Sequence, residues 1–227
     1  MSHLPPRVRP HVVVFDLDGL MFNTEELYQC VGTEVLRRRG KTFDADLLNA
    51  MMGRPPRVSL QLMIDWHKLE ATVEELALEN DEIFCDLLDT RLAYMPGLEE
   101  LLSSLEAAGI PKAIATSSGP KFVANVLGRF DLAPRFDFIL TCDDIIDGKP
   151  HPEIYLTAAK RFGVKPSEIL VLEDSQNGCR AAVAAGTFAV AVPAGHSHGH
   201  DFAGAKLVID TLADPRLYEV LGLRRAG

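Results

Sequence analysis

Asp16 and Asp18 are two carboxylates two residues apart, directly after the apolar run Val12 to Phe15 and just before Gly19. A short β-branched and aromatic run, apolar on both faces, is the pattern of a buried parallel strand. The glycine then allows a turn that a residue with a Cβ would resist. Open α/β sheets place their chemistry at the carboxyl ends of such strands. Two acids at that mouth repel each other and invite a divalent cation. Three further segments carry reactive or phosphate-binding types: Thr116-Ser117-Ser118-Gly119, Lys149-Pro150 and Glu173-Asp174. Each alone has a bland reading as a turn, an N-cap or a solvated lysine. Together, each at a strand end or in the loop after it, they point to a site.

The chemistry that suits this set is phosphoryl transfer. A carboxylate attacking phosphorus forms an acyl phosphate and splits one slow step into two faster ones. A hydroxyl and a backbone amide can hold phosphate oxygens, and a lysine can balance their charge. An oxygen-ligated Mg²⁺ would relieve the repulsion between carboxylate and phosphate. Asp18, held out by the turn, could protonate the leaving oxygen and later deprotonate water.

The elements that must position these groups follow from periodicity. Asn23 and Glu26 have the spacing of a capping box that opens a helix to about Arg39, ended by Gly40. Asp44 to Met52, Val58 to Leu69 and Thr72 to Leu92 read as helices, the last with a second capping box, Thr72 and Glu75. From Pro96 onward, strands alternate with helices of ten or so residues. Strands are expected at 112–116, 136–140, 169–172, 187–192 and, more weakly, 207–209, with helices at 98–108, 120–128, 152–162, 175–185 and 217–221. That alternation predicts a doubly wound parallel α/β sheet. Residues 1–22 and 96–227 would form this core domain, and residues 23–95 an all-helical domain inserted after the first strand.

The 227 residues carry a formal charge of −9 and 47% hydrophobic residues. That acidity argues against nucleic acid or an anionic membrane as main partner, while a phosphate could still be held by local positive charge from a lysine, amides or a metal. Cys30, Cys85, Cys142 and Cys179 are scattered without a C-x-x-C, the usage of buried, reduced thiols in a cytoplasmic protein. Ala181 to Ala194 is too short, and too broken by Gly186 and Pro193, to span a bilayer. A soluble cytoplasmic monomer is the expectation.

The order D-x-D-G at Asp16, T-S-S-G at Thr116, G-K-P-x-P around Lys149 and E-D-S-x-x-G at Glu173 resembles the haloacid dehalogenase superfamily, in the subclass with a helical cap. The resemblance runs from Val12 to about Ile209. It implies Asp16 as nucleophile, Asp18 as general acid/base, Thr116 and the Ser117 amide as phosphate holders alongside Asp18 and Gly19, and Lys149 as charge clamp. It implies Mg²⁺ on the carboxylates of Asp16 and Asp174 and the backbone carbonyl of Asp18, with Glu173 a second possible ligand. Members that cleave carbon–halogen bonds lack the second aspartate, having no leaving oxygen to protonate. Asp18 therefore points to a phosphate ester, and the resemblance implies one of a small metabolite, such as a sugar phosphate or nucleotide-like monophosphate.

Within the superfamily the chain is most similar to the group of beta-phosphoglucomutase and the small sugar-phosphate and nucleotide phosphatases. The phrases MPG, ATSS and LEDSQNG resemble the pseudouridine-monophosphate phosphatase branch. A mutase on the same aspartyl-phosphate is the alternative. Tyr28 stands where beta-phosphoglucomutase carries a cap histidine, and Pro56 where it carries an arginine, which favours hydrolysis. Asn23 replaces a more usual aspartate. A cap that closes over the phosphate would choose the leaving group, with Gly53 and Arg54 its candidate contacts. Trp66 falls in an apolar helical register and is expected in the core. His196, His198 and His200 form an H-x-H-x-H loop more suited to adventitious soft metals than to Mg²⁺. A non-enzymatic phospho-acceptor switch shares strand-end aspartates, a Thr/Ser and a Lys, but such domains are shorter and lack the helical insert.

Overall fold

The computed structural model describes residues 10–51 and 56–223. Along the chain run β1 (Val12–Phe15), α1 (Thr24–Arg37), α2 (Ala45–Met51), α3 (Pro56–His67), α4 (Val73–Arg91), α5 (Leu98–Ala107) and β2 (Lys112–Ala115). There follow α6 (Pro120–Gly128), β3 (Phe138–Leu140), α7 (Glu153–Phe162), β4 (Ile169–Glu173), α8 (Gln176–Ala184), β5 (Phe188–Ala191), β6 (Leu207–Val208) and α9 (Pro215–Leu221). Two compact units result. One ends its first segment at Asn23 and resumes at Tyr94; Thr24–Ala93 form the other.

The first unit is an α/β core. Among the described residues six strands form one sheet in the order β3-β2-β1-β4-β5-β6, and every pairing between them is parallel. The central strands β1, β2 and β4 are buried along their whole length and are apolar apart from Lys112 at the start of β2 and Glu173 at the end of β4. One face of the sheet packs Val12, Val14 and Val171 with Ile154, Tyr155 and Ala158 of α7 and with Cys179, Ala181 and Ala182 of α8. The alanines let the helix backbones approach the sheet. β3 starts two residues later than the periodicity suggests. Ala133–Arg135 takes a 3-10 turn around Pro134, and Phe136 is buried edge-on against Phe15, with centroids 5.8 Å apart.

Among the described residues the second unit is all helical. Leu27, Val31 and Val35 of α1 and Leu76, Ile83, Phe84 and Leu88 of α4 are buried at helical spacing. Tyr28 stacks on Phe84 at 4.4 Å, and Arg39 of the same unit pairs with Glu79 at 2.7 Å. The expected box opens α4: the Glu75 amide donates to Thr72 Oγ1, and the Thr72 amide donates to the Glu75 carboxylate.

Two expectations fail. Trp66 is not core but 45% exposed. The face α3 buries is centred on Leu60 and Met63; at about 100° per residue Trp66 lies roughly a quarter turn to one side. The cysteines are all free, yet only Cys179 is buried; Cys85 and Cys142 are exposed and Cys30 lies between. Spacing shows the absence of a pairing motif but not which way a helix faces. Among the described residues no helix is long and apolar enough to cross a membrane.

Candidate active site

Register sets the height of the site. Phe15 pairs with Leu172 of β4 and with Ile114 of β2. Asp16, Glu173 and Thr116 therefore emerge close together at one edge of the sheet. The Asp16 amide donates to Leu172 O at 3.0 Å, and the Thr116 amide to Leu140 O at 3.0 Å. The chain moves from β1 to one side of the sheet through β2 and β3, then to the other through β4, β5 and β6. The site sits at this reversal, where an α/β sheet opens a crevice.

Lys149 reaches into the crevice from the loop before α7, its side chain 5% exposed. Its ammonium donates to Asp16 Oδ1 at 2.5 Å, Glu173 Oε1 at 2.6 Å and Ala115 O at 3.0 Å. An ammonium has three N–H groups, so these contacts fix its direction completely. Glu173 in turn accepts from the Tyr155 hydroxyl at 2.5 Å and, on Oε2, from Ser175 Oγ at 3.0 Å. Gly178 is required beside it, since a Cβ there would lie 1.8 Å from Glu173 Oε1.

Asp16, Glu173 and Asp174 are all buried, and each brings a carboxylate oxygen within 4.8 Å of the others. Among the described residues the ammonium of Lys149 pairs with two of these three carboxyl groups, Asp16 and Glu173. Burial pushes the Asp16 carboxyl well above the usual carboxylate range, with the Lys149 charge opposing and Glu173 and Asp18 adding to the rise. Three clustered carboxyl groups whose donor atoms are all oxygen fit a hard divalent cation such as Mg²⁺.

Asp18 lies at the turn, half-buried, beside Gly19, whose φ of 74° needs a glycine. Asp18 Oδ2 accepts from Ser118 Oγ at 2.6 Å and, more weakly, from Thr116 Oγ1 at 3.4 Å. Thr116 Oγ1 also accepts from the Ser118 amide at 3.0 Å, while Ser117 is exposed. The fold thus brings together Asp16, Asp18, Gly19, Thr116, Ser117, Lys149, Glu173 and Asp174. Gly53 and Arg54 lie outside the described residues.

Three contacts escaped the sequence reading. Ser118 stands in a recognised run but offers no hint that its hydroxyl, rather than its neighbour's amide, meets Asp18. Gly178 belongs to the E-D-S-x-x-G phrase, which gives no reason for the glycine. Tyr155 carries no signal beyond its place on a buried helix face. Among the described residues a second acidic group, Asp147, His151 and Glu153, lies largely exposed; Glu153 is already engaged by the amides of Ile146 and Asp147. Neither acidic group includes His198 or His200.

A sequence profile described as haloacid dehalogenase-like hydrolase matches residues 13–192. The "Probable pseudouridine-5'-phosphatase" of Drosophila melanogaster is 35% identical over 207 residues, covering 88% of this chain and 89% of its own. The phosphorylated carbohydrates phosphatase of Thermotoga maritima is 34% identical over 178 residues, or 77% of this chain and 81% of its own. A solved structure of beta-phosphoglucomutase from Clostridium difficile is similar with a TM-score of 0.71 at 25% identity, over 94% of this chain and 97% of that one.

Proposed function

The chain belongs to the haloacid dehalogenase-like hydrolase family, and from that premise we propose that it hydrolyses phosphate monoesters of small metabolites through an aspartyl-phosphate on Asp16. The observation that carries this reading is the buried trio of Asp16, Glu173 and Asp174 around one ammonium, at the carboxyl edge of β1. The similarity to phosphatases of phosphorylated small molecules supports it.

Lys149 holds Asp16 Oδ1, which orients the carboxylate for attack on phosphorus. The Thr116 hydroxyl and Ser117 amide hold the phosphate oxygens as the ester P–O bond breaks. Protonated Asp18 gives its proton to the departing oxygen, so the first product leaves as a neutral alcohol. Asp18, now a carboxylate, removes a proton from water as the water oxygen attacks phosphorus. The P–O bond to Asp16 breaks, releasing inorganic phosphate and the free carboxylate. The carboxylates of Asp16 and Asp174 and the backbone carbonyl of Asp18 would hold Mg²⁺, which supplies charge neutralisation between nucleophile and phosphate. Glu173 already accepts from Lys149, Tyr155 and Ser175, and we assign it to holding the lysine. Choice of the leaving group is assigned to the helical unit, including Gly53 and Arg54.

The test is phosphate release, with Mg²⁺ and with chelator, across sugar phosphates and nucleoside monophosphates including pseudouridine monophosphate. Metal-dependent release from wild type that is lost in Asp16→Asn is the expected result; release that survives in the purified variant overturns the nucleophile. The likeness to beta-phosphoglucomutase carries a second reading. Conversion of beta-glucose 1-phosphate to glucose 6-phosphate with a bisphosphate primer, without hydrolysis, would establish it. Tyr28 weighs against that reading, because it stands where the resemblance places a cap histidine in the mutase.

A further inference from the structure

Tyr155 is fully buried on the face of α7 that packs against the sheet. A phenylalanine would fill the same space without bringing a hydroxyl into an apolar core, where an unpaired hydroxyl is costly. The hydroxyl is not unpaired. It donates to Glu173 Oε1 at 2.5 Å, the same oxygen that receives Lys149 at 2.6 Å. The Lys149 ammonium also lies over the Tyr155 ring, 5.3 Å from its centroid.

Lys149 is shared between Asp16 and Glu173 at almost equal distances, 2.5 and 2.6 Å. Which carboxylate it favours depends on how much negative charge each oxygen presents. A strong donor on Glu173 Oε1 draws density from that oxygen and weakens its pull on the ammonium. The carboxylate is boxed in on its other sides by Ser175 and by the close approach of Gly178. The tyrosine hydroxyl is thus the contact that balances the lysine between its two acids.

We propose that Tyr155 is a positioning residue for phosphoryl transfer: by sharing Glu173 Oε1 with Lys149, its hydroxyl keeps the ammonium on Asp16 and within reach of the phosphate. This rests on the phosphatase reading. Without the hydroxyl, Glu173 draws the ammonium toward itself, and both nucleophile and phosphate lose part of their counter-charge.

Tyr155→Phe removes the donor and keeps the ring. Two readouts apply to wild type and variant, each with native Glu173 and with Glu173→Gln: calorimetric affinity for inorganic phosphate in Mg²⁺, and kcat and KM on the best ester. Removing a hydrogen bond to a charged group predicts about a tenfold loss in kcat and in phosphate affinity. Both losses should disappear in the Glu173→Gln background, the sign of an effect transmitted through that residue. A variant that melts earlier but keeps wild-type kcat and phosphate affinity would show a packing role only and overturn the proposal. Equal losses in both Glu173 backgrounds would overturn it too. If wild type hydrolyses none of the panel, the phosphatase reading fails separately, and the phosphate titration alone still decides on Tyr155.

Discussion

Ser118 shows how one atom can sort the steps of this reaction. Its hydroxyl donates to Asp18 Oδ2 at 2.6 Å, and its amide fixes Thr116 Oγ1 at 3.0 Å. Ser118→Ala removes the first contact and leaves the second. The leaving oxygen of an alkyl phosphate needs the proton of Asp18, whereas an aryl phosphate departs as a stable anion. Hydrolysis of alkyl phosphates is therefore expected to fall by about five- to tenfold, within the usual range for misplacing an acid catalyst. Aryl phosphates should change by less than about twofold, since their departure draws little on acid catalysis. Parallel kinetics on one ester of each kind check this; equal losses would remove Ser118 from the positioning of Asp18. The sequence could not single out Ser118, because three hydroxyl residues follow β2 in succession and only the path of the turn selects among them.

Local elements were legible where the signal is local. The Thr72 and Glu75 spacing gives the observed box at α4, whose hydrogen bonds join residues three apart. Thr72→Ala leaves the Glu75 amide without its acceptor and is expected to cost about 1 kcal/mol. Urea unfolding should show a lower midpoint with an unchanged slope; an unchanged midpoint would mean that solvent replaces the cap without loss. Trp66 is the opposite case. Val58, Leu62 and Trp66 make an apolar row as regular as any in the chain, yet the buried face of α3 carries Leu60 and Met63. When a short helix carries two apolar rows, periodicity cannot choose between them; the neighbouring helices do.

At the scale of the whole molecule, two sets of carboxylates pull stability in opposite directions with pH. Glu34 is lowered to about 2 by hydrogen bonds from Arg37 and Arg38, and Glu79 and Glu106 are lowered by arginine partners. Depressed groups contribute stability above their unfolded values that is lost as pH falls through the folded ones, here from about 4.5 toward 2. Asp16 is raised by burial above its ordinary 3.8, so between those two values the native state holds more protons than the unfolded chain. Its contribution to stability therefore declines as pH rises. The metal-free protein should lose stability as pH climbs past the ordinary carboxylate range, and Asp16→Asn should flatten that decline. Added Mg²⁺ should stabilise more at pH 8 than at pH 5.5, because protons compete for the same oxygens. Denaturation midpoints across pH, with Mg²⁺ and with chelator, read both trends; a Mg²⁺ effect that shrinks toward alkaline pH would contradict the site. What the sequence determined by itself is the order of elements, the parallel α/β class and the grouping of Asp16, Asp18, Thr116, Lys149 and Glu173-Asp174 at strand ends or in the loops that follow them. Those features depend on apolar periodicity and on the rule that parallel strands share a carboxyl edge. What only the tertiary structure decided is which atoms meet: Lys149 between Asp16 and Glu173, Tyr155 behind Glu173, Ser118 on Asp18. Such contacts join residues up to 133 positions apart, and strand register, the turn after β2 and the packing of α7 on the sheet fix them.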